Sequence, residues 1–124
     1  MSWWVSADYT WAWVRAFVFT QAVEAPMYRW ALGVSLGQAL LPSALTHPAL
    51  WFWFFPRLAP SLGLTYRDTT LLSEVLVWWS EALVLTAVCR KKPPRLWAYA
   101  GWAFVANGTS LLLGLGCRRF FGLP

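Results

Sequence analysis

Long apolar stretches, each bounded by charged or turn-forming residues, dominate the pattern of hydrophobic and polar positions along the chain. Four stretches approach or exceed the roughly 20 residues that a helix needs to cross the hydrocarbon core of a bilayer. They cover approximately residues 9–25, 29–55, 68–89 and 94–117. The pattern therefore predicts an all-α fold, a single transmembrane domain over residues 1–124 built from four membrane-spanning helices.

The second stretch differs from the others because it contains Pro42 and Pro48. Proline removes a backbone donor and clashes with the preceding helical turn, and the residue before a proline avoids helical backbone angles. The second helix is therefore predicted to be broken or kinked between Pro42 and Pro48, with THP at 46–48 as the break. Backbone groups freed in lipid must be buried in protein or face water. We therefore expect His47 at a packed or hydrated interruption.

The amino-acid composition also indicates a membrane protein. Of the 124 residues, 59% are hydrophobic and 12% are charged, whereas soluble domains are about half apolar and about a quarter charged. A soluble chain of this length could not bury so much apolar surface. The 11 tryptophans agree, since Trp favours the membrane interface. We therefore predict a multi-pass protein of the cell inner membrane, with the lipid bilayer as its first partner.

The net charge of +5 comes from basic residues between the apolar stretches, as in RKKPPR at 90–95 and CRRFF at 117–121. Such clusters are typical of snorkelling anchors and topology signals among lipid headgroups. They do not form the basic stripe of a nucleic-acid binder, so nucleic acid is not an expected partner. With the 90–95 turn inside, the basic residues favour the inner side by five to four, which predicts that both termini lie outside.

Three titratable side chains are predicted at a depth in the membrane where they could meet. His47 lies near the middle of the second helix, and Glu74 and Glu81 lie two helical turns apart on one face of the third. Ionisable groups at this depth are costly and face the bundle interior or a cavity. Two carboxylates and an imidazole suit Zn, Mn or Fe. His47, Glu74 and Glu81 are therefore a candidate metal site, with a divalent metal ion as the candidate cofactor.

Further polar side chains predict a network between the helices. Gln21 and Glu24 are three residues apart on the first helix, as are Asn107 and Ser110 on the fourth. The simplest interpretation is structural: hydrogen bonds pin the four helices together, with the glutamates protonated or paired. A metal or proton site and catalysis by a Glu or His acid–base pair remain open as alternatives. No residue is assigned as catalytic.

Small residues predict close helix packing. GVSLG at 33–37 has the GxxxG spacing, which lets two helices approach closely through Gly33 and Gly37. Gly114 continues a stripe of small residues on the fourth helix. Packing within one chain and dimerisation both remain open as explanations.

Four segments, EAP (24–26), THPALW (46–51), EVLVWWSEA (74–82) and ANGTS (106–110), resemble a loose group of small bacterial membrane proteins with a similar helix count and no assigned activity. This resemblance implies the fold and the location but no mechanism. The chain is also similar to the small multidrug-resistance transporters in length and helix count. In that comparison Glu24 would play the part of their single glutamate in the first helix.

The leading hypothesis is a small integral membrane protein that acts as a subunit or scaffold, with other membrane-protein subunits or a second copy as its partners. It is organised around a buried Glu/His/Asn network that could bind a cation. One alternative is a proton- or cation-coupled small transporter that works as a homodimer through Glu24 or Glu81. Another is an intramembrane metal-dependent enzyme.

Overall fold

The computed structural model describes residues 7–89 and 95–121, with side chains described as far as residue 117 in the last helix. Every regular element in these ranges is helical, which confirms the predicted all-α fold. The helices are α1 (Ala7–Leu32), α2 (Leu36–Ala49, continued by a π-helical segment over Leu50–Leu58 and a last turn over Ala59–Ser61), α3 (Tyr66–Cys89) and α4 (Leu96–Phe121). Each helix packs on the next, and α4 returns to pack on α1, so the four helices close into a bundle.

The turn between α1 and α2 lies later in the chain than the sequence pattern predicts. The predicted first helix ends at residue 25, whereas α1 continues through Pro26 to Leu32. Gly33 adopts a left-handed backbone with φ +64, and this conformation ends α1. Ser35 then caps α2: its hydroxyl accepts the Gln38 N–H at 3.1 Å, while the Gln38 side chain accepts the Ser35 N–H at 3.0 Å.

This turn corrects the predicted GxxxG packing motif. Gly33 lies in the turn and Gly37 in the first turn of α2, so the two glycines do not share one helical face. A Cβ atom added at either position would meet nothing within 4 Å. Gly114 differs, because a Cβ there would lie 3.7 Å from the Phe19 ring, where α4 packs on α1. The same stretch of sequence therefore encodes a helix end and a capping box.

The second helix is not broken at 46–48, because α2 is one continuous α-helix that contains both Pro42 and Pro48; the predicted alternative, a kink at these prolines, stays a prediction. Interior prolines are tolerated where surrounding groups satisfy the backbone that they leave unpaired. The helical geometry changes only after Pro48, where the backbone widens into the π-helical segment Leu50–Leu58. Thr46 and His47 consequently project from a regular helix, about 100° apart around its axis.

A hydroxyl from α1 supports the π-helical segment. Pro56 lies inside it and has no N–H, so the carbonyl five residues earlier, at Trp51, lacks its π-helical donor. The Tyr9 hydroxyl donates to this Trp51 carbonyl at 2.6 Å. A tertiary hydrogen bond thus replaces the backbone bond that proline removes.

The last two helices lie close to their predicted positions of 68–89 and 94–117. Tyr66–Cys89, with 24 residues, and Leu96–Cys117, with 22, are long and apolar enough to cross a membrane. These two are the only described helices that meet that criterion. The predicted hairpin at 90–94, with Pro93 and Pro94, falls outside the described residues.

The interior of the bundle is built from small and polar side chains. More than half of the buried hydrophobic residues are alanines, and they surround buried Glu24, Glu81 and Asn107. Large apolar side chains lie instead on the outer surface, where Trp97 is 79% exposed and Leu112 is 70% exposed. Helices with small interior residues can approach closely, which brings polar groups of all four helices within hydrogen-bonding distance.

Candidate functional site

Two buried carboxyl groups lie in contact at the centre of the bundle. Glu24 of α1 and Glu81 of α3 are each 1% exposed, and their side chains are within hydrogen-bonding reach of one another. We refer to Glu24 and Glu81 as the acid pair. Within residues 7–89 and 95–117, no basic side chain forms an ion pair with either carboxyl.

Both oxygens of Glu24 accept hydrogen bonds from serine hydroxyls of other helices. Ser43 of α2 donates to Oε1 at 3.1 Å, and Ser110 of α4 donates to Oε2 at 2.8 Å. Ser43 is itself 1% exposed, so its bond to Glu24 is shielded from solvent. The Glu24 carboxyl therefore connects three helices.

Both oxygens of Glu81 are satisfied in the same way. The Tyr28 hydroxyl of α1 donates to Oε1 at 2.9 Å, and the Thr46 hydroxyl of α2 donates to Oε2 at 3.3 Å. The Asn107 side chain of α4 contacts Glu81 and Tyr28, and its Nδ2 donates to the Ala103 carbonyl at 2.8 Å. Through the two carboxyls, all four helices enter one hydrogen-bonded network.

A cavity of about 740 Å³ opens beside this network, at the end of the bundle where α1 and α3 begin. We refer to it as the Glu74 cavity. Its lining combines the Glu74 carboxyl with aromatic rings and with threonine and serine hydroxyls. These lining residues include Tyr9, His47, Trp51, Phe55, Tyr66, Thr69, Thr70 and Ser73. Glu74 is half-buried and accepts no hydrogen bond from the described side chains. Glu74 therefore differs from the acid pair, because its carboxyl lines a cavity and has no hydroxyl donor among the described side chains.

His47 belongs to the wall of this cavity and not to the acid pair. Its ring stacks on Trp51, with centroids 6.2 Å apart and an interplanar angle of 15°, and it meets Phe17 edge-on at 5.6 Å. Nε2 lies 3.3 Å from the Thr20 hydroxyl. Nδ1 is buried without a hydrogen-bond partner in the described part of the chain. The histidine is therefore held mainly by aromatic packing.

A second, smaller cavity of about 360 Å³ reaches one of the hydroxyl partners of the acid pair. Glu74 and Ser110 both line it, and the Ser110 hydroxyl donates to Glu24. Glu74 also interacts electrostatically with Glu24. Glu74 and a hydroxyl partner of the acid pair therefore line the same cavity.

The predicted metal ligands His47, Glu74 and Glu81 do not assemble into one site. Across residues 7–89 and 95–117, no three His, Cys, Asp or Glu side chains come close enough to hold a metal ion. The reason is the register of α2: Thr46 faces Glu81, while His47, the next residue, faces α1 and the cavity. Glu74 lies on the cavity side, two turns from Glu81.

The predicted polar network is divided in a similar way. Glu24, Asn107 and Ser110 lie together around the acid pair, whereas the Gln21 amide donates to the Leu40 carbonyl at 2.8 Å, away from both carboxyls.

Three of the hydroxyl groups that donate to the acid pair were not predicted from the sequence, those of Tyr28, Ser43 and Thr46. Tyr28 lies four residues after Glu24, and Ser43 and Thr46 are three apart. The spacing rule applied to the charged residues would therefore have found them.

Comparison of this chain with protein-family models, with curated proteins and with solved structures finds no match. The resemblance to small bacterial membrane proteins therefore stays a prediction. The geometry of the acid pair and of the Glu74 cavity is the basis for assigning a function.

Proposed function

We propose that this chain is a small integral membrane protein, a subunit or scaffold whose four helices all cross the bilayer and are held together by the acid pair. One observation carries the proposal: each oxygen of two buried carboxyls accepts a hydroxyl hydrogen bond from a neighbouring residue of the bundle. A fully satisfied buried network fixes helix register and orientation. That is the property a scaffold needs.

The distribution of side chains supports a lipid environment for all four helices. Large apolar residues face outward on every helix, while alanine, serine and glutamate fill the interior. Exposed Trp11 and Trp30 are 19 residues apart on α1, which corresponds to about 28 Å of helix. This length is close to the roughly 30 Å thickness of a bilayer core, and Trp favours its two interfaces.

A cysteine-accessibility experiment tests the crossings of α2 and α3, which the proposal of four crossings requires. In a Cys89→Ala/Cys117→Ala background, single cysteines are placed at exposed positions in the connections: Leu36→Cys, Ser61→Cys and Arg95→Cys. With four crossings, a membrane-impermeant maleimide labels Leu36→Cys and Arg95→Cys from one side and Ser61→Cys from the other. If Leu36→Cys and Ser61→Cys are labelled from the same side, α2 does not cross and the proposal of four crossings is wrong.

We further propose that the acid pair shares a proton. Two ionised carboxylates in contact, without a cation, repel strongly in a low-dielectric interior. One proton between them converts this repulsion into a hydrogen bond. Infrared spectroscopy should show the carbonyl stretch of a protonated carboxyl that disappears in Glu24→Gln/Glu81→Gln and persists in Glu74→Gln. A wild-type protein without this band would contradict the shared proton.

A proton-coupled transporter is the second candidate function, supported by the cavity that Glu74 shares with Ser110, whose hydroxyl donates to Glu24. Proteoliposomes that contain a pH-sensitive dye separate it from the scaffold. The transporter requires proton uptake that is lost in Glu74→Gln. The scaffold requires vesicles no leakier to protons than protein-free vesicles.

A further inference from the structure

We propose that the Glu74 cavity binds a primary ammonium compound with an apolar body, such as an arylalkylamine, with its ammonium group at Glu74. This inference concerns a ligand site separate from the acid pair, and it does not depend on the scaffold function. It rests on the charge, the hydrogen-bonding capacity and the aromatic character of the cavity lining.

The charge of the lining requires a cation. Glu74 is the one acidic residue of the lining, and no lysine or arginine of the described chain lines the cavity. The carboxyl is half-buried and accepts no hydrogen bond from the described side chains. A carboxylate removed from water without a partner is costly, so a ligand cation would supply the missing interaction.

The hydroxyl groups of the lining require hydrogen-bond donors in the ligand. Thr69 donates to the Thr65 carbonyl at 2.8 Å, and Thr70 donates to the Tyr66 carbonyl at 3.0 Å. Ser73 likewise donates to the Thr70 carbonyl at 2.8 Å. Each hydroxyl has only one proton, so these oxygens can offer only acceptor lone pairs to a ligand. An ammonium group with N–H donors fits this set.

The Tyr9 hydroxyl also lines the cavity, and its proton is already used in a hydrogen bond within the protein. The Tyr9 hydroxyl donates to the Trp51 carbonyl at 2.6 Å. Carboxylate and hydroxyl oxygens together therefore make a lining dominated by acceptors. An anion beside Glu74 would be repelled by the carboxylate.

Aromatic rings supply the place for an apolar body. Tyr9 and Trp51 pack together with centroids 5.3 Å apart, and Trp51 meets Phe55 at 5.9 Å. Tyr9, Trp51 and Phe55 line the cavity together with His47. Aromatic rings stabilise an adjacent cation and also bury an aryl or alkyl group.

The dimensions of the cavity admit such a compound. About 740 Å³ lies within the range of roughly 300–1,000 Å³ that small-molecule sites occupy. Tyr66, 78% exposed, lies on its rim, and Glu74 follows eight residues later on α3. That separation corresponds to about 12 Å of helix. The ligand therefore enters from the end of the bundle where α1 and α3 begin.

Isothermal titration calorimetry of the full chain in non-ionic detergent tests the proposal with 2-phenylethylammonium at neutral pH. Its uncharged analogue 2-phenylethanol has the same apolar body. We expect saturable binding of the ammonium compound and affinity about tenfold or more weaker for the alcohol. Phenylethyltrimethylammonium, which keeps the charge but has no N–H, should bind more weakly than the primary ammonium compound.

Two matched variants complete the experiment. Glu74→Gln preserves shape and removes the charge, and should weaken ammonium binding about tenfold or more. Asp68→Asn removes the same charge from the same helix outside the cavity and should leave the affinity unchanged. Circular dichroism and melting of Glu74→Gln should match the wild type. Equal affinity of wild type and Glu74→Gln, or of amine and alcohol, overturns the proposal.

Infrared spectroscopy with the Glu24→Gln/Glu81→Gln variant, run beside the calorimetric titration, distinguishes a failure of this inference from a failure of the proposed function. If the acid pair lacks a shared proton, the infrared experiment fails while ammonium binding persists. If the cavity does not bind amines, the titration fails while the infrared band and the labelling pattern remain.

Discussion

Glu81 and Glu74 lie on the same face of α3, two helical turns apart, but their surroundings differ in every respect that matters for their chemistry. Glu81 is 1% exposed and both its oxygens accept hydroxyl hydrogen bonds. Glu74 lines a cavity and accepts no hydrogen bond from the described side chains. A satisfied carboxyl stabilises the fold, whereas an unsatisfied one at a cavity is available to a ligand.

The same contrast holds for the neighbouring helices. Around the acid pair, hydroxyls from α1, α2 and α4 converge and exclude other groups. Around Glu74, aromatic rings of α1 and of the π-helical segment leave a space of about 740 Å³. Large, flat side chains do not fill space as closely as serine, threonine and alanine do beside the acid pair. We therefore expect mutations at the acid pair to lower the stability of the bundle, and mutations at the Glu74 cavity to change its stability little.

The largest difference is expected between Glu81→Ala and Glu74→Ala. Glu81→Ala leaves the buried Tyr28 and Thr46 hydroxyls without their acceptor and removes the carboxyl that shares a proton with Glu24, and should lower the free energy of unfolding by about 3–5 kcal/mol. Glu74→Ala removes no hydrogen bond and should change it by less than about 1 kcal/mol. Titration with sodium dodecyl sulfate in mixed micelles measures both values. Equal losses would show that Glu74 is as structural as Glu81.

A smaller difference is expected between two tyrosine hydroxyls. Tyr28→Phe removes a buried donor from a carboxyl, which should cost about 1.5–3 kcal/mol. Tyr9→Phe removes the donor to the Trp51 carbonyl beside the cavity and should cost about 0.5–1.5 kcal/mol. The same micelle titration, with Tyr66→Phe at the exposed rim as a control, ranks the three. A larger loss for Tyr9→Phe would mean that the π-helical segment, and not the acid pair, dominates stability.

The smallest effects are expected at adjacent positions of α2. Thr46→Val removes the donor to Glu81 Oε2 with little change in shape and should cost about 1 kcal/mol. His47→Leu removes the 3.3 Å contact of Nε2 with the Thr20 hydroxyl together with the buried, unpartnered Nδ1; because these two effects offset, stability should stay within about 0.5 kcal/mol of wild type. Thermal unfolding monitored by circular dichroism resolves the pair. A clear loss for His47→Leu would indicate that the imidazole makes a required polar contact.

Several features could be predicted because they depend on local pattern alone. The apolar stretches and their boundaries gave α3 and α4 to within a few residues, apart from the end of α4. The cost of burying Glu24 and Glu81 required them to face inward. The all-helical fold follows from the same stretches, since helices satisfy their own backbone hydrogen bonds.

The turn between α1 and α2 could have been predicted more accurately. The predicted first helix ends at residue 25, just before Pro26, but the helix continues through this proline to Leu32. The combination of Gly33 with the Ser35 and Gln38 capping box is the stronger signal, because it satisfies the free backbone groups at both helix ends. The GxxxG interpretation placed Gly33 inside the second helix, whereas Gly33 lies in the turn that ends α1.

Composition, spacing and the energetic cost of buried charge were sufficient to determine from sequence that this is an all-helical chain with acidic side chains inside it. Only the tertiary structure decided which side chains meet. A rotation of about 100° between Thr46 and His47 directs the hydroxyl to Glu81 and the imidazole to the cavity. Sequence gives the position of a residue along its helix, but the rotation of one helix against another depends on packing of the whole bundle.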